Sequence, residues 1–131
     1  MKENLYTYKV AKVTKVVDGD TVYLLLDLGF HTFVQAHCRL LGVDTPEIYH
    51  ARNEKEKKAG LACKEFLKTL LSSYPELIVK THKDKTGKYG RYLVEIYGLN
   101  PLNDTWDNIN RLMNEYLIAN KFRKEDLYAG E

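Results

Sequence analysis

With 131 residues, the chain has the length of one domain, 1–131, able to close a core without disulfides or a structural metal. A formal net charge of +2 excludes the large basic excess of a general nucleic-acid binder, so any polyanionic partner must be argued from local patches. The two cysteines, Cys38 and Cys63, lie far apart, and His31, His37, His50 and His82 form no pair at ligand spacing. That argues against a zinc or C-x-x-C redox site and leaves two reduced, buried thiols as the expectation.

Met1 to Val10 carries three charges and lacks the apolar stretch of about 7 to 15 residues that a signal peptide needs. The expectation is a cytoplasmic protein or a mature secreted form whose signal has been removed. Val10 to Val17 and Val22 to Leu26 are β-branched and apolar, and "DGDT", Asp18 to Thr21, lies between them as a hairpin turn. Thr32 to Leu41 alternates, with Val34, Ala36, Cys38 and Leu40 on one face and Phe33, Gln35, His37 and Arg39 on the other. From Asn53 to Ser73 the period becomes helical: Ala59, Ala62, Cys63, Phe66, Leu67, Leu70 and Leu71 recur at spacings of three and four. Leu77 to Thr81 and Arg91 to Tyr97 read as two further strands, joined by the loop "HKDKTGKYG". The stretch "YGLNPLND" reads as a loop, and a second helix is expected from Asn110, as N-cap, to Asn120, burying Met113, Tyr116 and Leu117. "KFRKEDLYAGE" has room for one last helical turn. Together these elements predict an α+β domain: a five-stranded, OB-like Greek-key β-barrel with two to three packed α-helices.

Three short pieces hold the charges that matter: Asp18 and Asp20 in the hairpin turn; Arg39 with Asp44, Thr45 and Glu47 in "RLLGVDTPE"; and "KYGR", Lys88 to Arg91. Each alone has an ordinary explanation, as a turn, a capped bend or a solvated loop. The run from Lys80 to Arg91 also carries five cations against Asp84, a local charge of +4 (5 − 1) that the net charge does not reveal. Taken together the pieces suit phosphodiester hydrolysis. Asp20 and Asp44 are hard oxygen ligands, and with the backbone carbonyl of Thr45 they leave a shell open to water and substrate, which favours Ca²⁺ over zinc. Arg39 and Arg91 can fork onto phosphate oxygens and stabilise a five-coordinate transition state. Glu47 is left to orient or deprotonate the attacking water.

The segments "VVDGDTV", "CRLLGVDTPE" and "DKTGKYGR", in this order with a helix between the last two, resemble the staphylococcal-type thermonuclease family over about Val13 to Ala119. The resemblance implies a calcium-dependent, sugar-nonspecific nuclease that cleaves DNA and RNA at the P–O5′ bond and leaves 3′-phosphate ends. It also implies roles residue by residue. Asp20, Asp44 and Thr45 would hold the metal, Arg39 and Arg91 the phosphate, and Glu47 would be the general base. Lys88 and Tyr89 would contact the terminal phosphate of bound nucleotide. The family's two base-stacking tyrosines fall here on Arg123 and Glu125, and its third helix is expected to be short or missing. The expected partners are DNA and RNA, with no membrane, no protein partner and a monomeric chain. The alternative is a binding module that uses the same barrel, for nucleic acid or protein, without catalysis.

Overall fold

The alternating first third of the chain folds as a meander of β1 (Thr7–Asp18), β2 (Thr21–Asp27) and β3 (Phe33–Leu40) in a computed structural model that describes residues 6–86 and 90–128, without the side chains of 83–86. After it come α1 (Glu54–Ser72), β4 (Leu77–Thr86), β5 (Tyr92–Asn100), β6 (Thr105–Asn108), α2 (Ile109–Ala119) and the single turn α3 (Lys124–Leu127). Val22, Leu24 and Leu26 of β2 and Ala36, Cys38 and Leu40 of β3 are buried, so the period-2 pattern sets one face of the meander against the core.

Closure into a barrel depends on the two longest runs. β1 pairs with β2 along most of its length and with β4 through Thr7 to Lys9. Three register shifts along β1 supply the bending that lets one strand serve two neighbours. β5 pairs antiparallel with β4 on one edge; on the other its first residues run parallel to β3, with Cys38 opposite Tyr92 and Leu40 opposite Val94. The order β3-β2-β1-β4-β5 with the β3–β5 contact is the five-stranded closed barrel the sequence predicts.

Helix α1 begins at Asn53, whose side chain accepts the Glu56 amide at 2.9 Å. It buries Ala59, and it buries Cys63, Leu67 and Leu71 in one cluster with the barrel core and with Met113 and Leu117 of α2. A Cβ at Gly60 would stand 2.8 Å from the Pro46 carbonyl oxygen and 2.9 Å from that of Glu47, so the loop after β3 lies directly on this helix. Cys38 and Cys63 are buried free thiols, and burial pushes each up to about 12, so both stay protonated.

Three local expectations need correction. β4 runs on to Thr86, through much of the stretch read as the loop "HKDKTGKYG". "YGLNPLND" is not a plain loop: β5 extends to Asn100, and β6 pairs back on it from Asn100↔Thr105 to Tyr97↔Asn108. Its glycine is there because a Cβ at Gly98 would collide with the Tyr74 ring. The cap of α2 is Asn108, which accepts the Arg111 amide at 3.1 Å. Asn110 is instead buried, accepting from the Ile96 amide at 3.0 Å and donating to the carbonyls of Leu41 at 2.9 Å and Val94 at 3.0 Å. One amide thereby clamps β5 to the exit of β3. Asn110→Leu strands those backbone groups and is expected to cost about 2–4 kcal/mol in urea denaturation with an unchanged slope; a loss below about 1 kcal/mol would show that the clamp carries little.

Candidate active site

The hairpin turn between β1 and β2 is the first part of the site. A Cβ at Gly19 would lie 2.7 Å from the Thr45 methyl carbon and 2.8 Å from Cys63 Cβ, so the turn is pressed between the loop after β3 and α1. Only glycine fits that approach. Asp20, 5% exposed, follows it with every oxygen engaged. Oδ2 accepts the Thr45 amide at 3.0 Å and the Thr45 hydroxyl at 3.1 Å, and Oδ1 accepts the Thr21 hydroxyl at 2.9 Å. Asp18 Oδ1 accepts the Asp20 amide at 3.1 Å, an Asx turn of the kind the local sequence favours.

β3 supplies the next part. Its inward residues are small and apolar, so Arg39 projects outward at its end, where Nη2 donates to the Val43 carbonyl at 3.1 Å. The same nitrogen stands 3.7 Å from Asp20 Oδ2 and 3.7 Å from Asp44 Oδ1. Glu47, half-exposed, is three residues on. From the far end of the chain, Lys124 of α3 brings Nζ to 3.3 Å from Asp44 Oδ1 and 4.0 Å from Glu47 Oε1. Arg91, just before β5, approaches the Thr21 hydroxyl at 3.5 Å.

All of these line one hollow of about 660 Å³: Asp18, Asp20, Arg39, Asp44, Thr45, Glu47 and Arg91, with Lys124, His50 and Leu93 at its walls. The structure therefore gathers every candidate of the turn, of "RLLGVDTPE" and Arg91 into one place. Lys88 and Tyr89 lie outside the described residues. Four carboxyl groups face three cations there, and two of the carboxyls, Asp18 and Asp20, are shifted in opposite directions. Burial, then the neighbouring Asp20 carboxyl, pushes Asp18 up to about 7. Burial opposes ionisation of Asp20 too, but the hydrogen bonds from Asp18 and the Thr45 amide, with the Arg39 guanidinium, outweigh it and hold Asp20 below its ordinary value. The two neighbouring carboxyls are thus pushed in opposite directions, Asp18 toward the acid and Asp20 toward the carboxylate.

The donor set suits a hard divalent cation, since Asp18, Asp20 and Asp44 offer only oxygen. Among the described residues no group of three or more His, Cys, Asp or Glu side chains is arranged to hold a metal ion.

Sequence reasoning missed two residues. Lys124 carries no local signal, because only the return of the chain end brings it to Asp44. Glu56 did carry one: with Ala59, Cys63 and Leu67 it follows the helical spacing of the buried face of α1. Only 1% of it is exposed; its oxygens accept the Arg52 amide at 2.8 Å and the Tyr128 hydroxyl at 2.9 Å, and the Glu47 backbone amide bonds to it as well. It anchors the loop that carries Glu47.

Residues 37–127 match the family model described as staphylococcal nuclease homologue. The chain is 37% identical over 102 residues to the uncharacterised protein MJ1439 of Methanocaldococcus jannaschii, with 66% of this chain and 47% of that protein covered. It is 30% identical over 102 residues to endonuclease YhcR of Bacillus subtilis, with 75% of this chain and 8% of that protein covered. The chain thus spans about half of one relative's length and under a tenth of the other's. No helix of the described residues is long and apolar enough to cross a membrane.

Burial disfavours the charge on Glu56, but the bonds from Arg52, Tyr128 and Glu47 prevail and hold its carboxyl below the ordinary glutamate value. Its stabilising contribution is therefore full above about pH 4.3 and is lost as pH falls through the lower folded value. Glu56→Gln is expected to flatten the acid limb of the stability curve while lowering stability at neutral pH; an acid limb as steep as in the wild type would refute the anchor.

Proposed function

The chain belongs to the family of staphylococcal nuclease homologues, and from that premise we propose that it is a calcium-dependent, sugar-nonspecific nuclease hydrolysing DNA and RNA at the P–O5′ bond to leave 3′-phosphate ends. The observation that carries this reading is the convergence of Asp20, Asp44, Glu47, Arg39 and Arg91 on one open hollow, from turn, strand end and loop. Nothing in barrel stability asks for so many charges at one rim; gathering like charges costs free energy that a polyanionic substrate and a divalent ion offset.

Asp20, Asp44 and the Thr45 carbonyl would hold Ca²⁺, which when bound supplies a positive charge beside the phosphate and polarises its P–O bonds. The chain's own residues do the rest. Glu47, reached by solvent and near the cation of Lys124, takes a proton from the attacking water. The water oxygen bonds to phosphorus opposite O5′, and Arg39 and Arg91 donate to the equatorial oxygens as negative charge builds. The P–O5′ bond breaks, O5′ takes up a proton from solvent, Glu47 releases its proton to solvent, and the phosphate stays on O3′. Lys88 and Tyr89 are proposed to hold the terminal phosphate of the bound strand.

Single-stranded DNA is expected to be degraded in calcium and left intact in chelator; binding without cutting in calcium would instead support a non-catalytic module. Arg39→Ala, Arg91→Ala and Glu47→Gln should each lower turnover by orders of magnitude with modest change in stability, because all three sit at the solvated rim; wild-type rates would overturn the roles. In isothermal titration, Asp20→Asn with Asp44→Asn should abolish calcium binding, and retained affinity would place the metal elsewhere. Lys88→Ala should make binding less salt-sensitive by one phosphate contact, and an unchanged slope would remove it from the site.

A further inference from the structure

We propose that Tyr23 and His37 form a nucleobase-stacking platform for the nucleotide next to the scissile phosphate, flanked by Lys15 and Arg91 as phosphate contacts. The proposal rests on the nucleic-acid reading of the adjoining hollow and names the part of the surface that meets the base.

Sheet register puts the four residues in one row. In β2 and β3 the even-numbered residues Val22, Leu24, Ala36 and Cys38 are buried, so Tyr23 and His37 lie on the outer face. Across the strands Asp18 is opposite Thr21 and Thr21 opposite Arg39; two residues along β2 and β3, and three along β1 where its register shifts between Val16 and Asp18, Lys15 is opposite Tyr23 and Tyr23 opposite His37. β5 runs parallel to β3 with Cys38 beside Tyr92 and Arg39 beside Leu93. His37 and Arg91 each precede the Cys38–Tyr92 pair by one residue, Arg91 just outside β5, and the charge of Arg91 acts on the imidazole. The face thus has a first row of Asp18, Thr21, Arg39 and Leu93, which lines or borders the hollow, and a second of Lys15, Tyr23, His37 and Arg91. Two residues of strand separate them, about 7 Å, within one nucleotide of the scissile phosphate.

The chemistry of the second row suits a single strand. The two rings are stacked with centroids 4.4 Å apart and planes 13° apart, and both are half-buried, with part of their surface open to solvent. Burial, and then the Arg91 charge, lower the His37 pKa and so favour the neutral ring over another cation. Single-strand binding needs flat surfaces for bases and cations for the phosphates between them, and this row alternates the two. Among the described residues no ion pair joins Lys15 to a carboxylate, so its charge is available to a phosphate.

The test uses a thymidine oligonucleotide carrying one abasic residue at successive positions. For the wild type in calcium, KM is expected to rise about tenfold when the abasic residue adjoins the cleaved bond, with kcat within about twofold. His37→Ala, its fold checked by circular dichroism, should show the higher KM on the intact strand and indifference to the abasic position. His37→Phe should restore the discrimination. A His37→Ala protein that still discriminates, or a wild type that never does, overturns the platform. Fluorescence anisotropy with the same strands in chelator separates this from the catalytic reading. Base-dependent binding without any cutting in calcium would sink the nuclease and keep the platform; cutting without base dependence would do the reverse; neither binding nor cutting would sink both.

Discussion

Asp20 is the fixed point of this molecule. Its carboxylate ties the β1–β2 turn to the loop after β3 through the amide and hydroxyl of Thr45, and its backbone carbonyl accepts the Leu40 amide at 2.8 Å. Gly19 beside it permits the contact with Thr45 and Cys63 that lets turn, loop and helix α1 meet. A buried acid with its oxygens engaged is a rigid reference, and Arg39, Asp44 and Glu47 take their positions from it.

Around that point the molecule concentrates charge that its core would not need. Burial, and after it the neighbouring Asp20 carboxyl, pushes Asp18 up to about 7. Arg39 and Lys124 both pair with the acids, one from the end of β3 and one from the single turn α3 near the end of the chain. Beneath, Glu56 secures the same loop from inside α1. Asp44 and Glu47 at the rim are thus open to solvent while Asp20, Thr45 and Glu56, which support them, are buried, a division between site and scaffold that suits a preorganised site.

The barrel also decides what lies beside the site. Because strands pair residue to residue, the row after Arg39 is fixed once its own row is fixed, and the Tyr23 and His37 rings fall there by register. Closure between β3 and β5 adds Arg91 to the same edge, although 52 residues (91 − 39) separate it from Arg39 in sequence.

What the sequence alone determined was local: the alternation of β2 and β3, the Asp-Gly turn, the helical period of α1 and the acid and arginine set in "VVDGDTV" and "RLLGVDTPE". These follow from short-range geometry, and each can be read from a few consecutive residues. Tertiary structure alone decided the rest. β6 was hidden because Gly98 and the bend at Asp104, with its φ of 57°, look like loop until the Tyr74 ring and the returning strand explain them. Asn110 reads as a cap until the backbone groups of β3 and β5 surround it. Lys124 joins the site, and Glu56 becomes its anchor, only when distant segments pack together; long-range partners leave no mark in the residues on either side, because their energy comes from a contact the chain has not yet made.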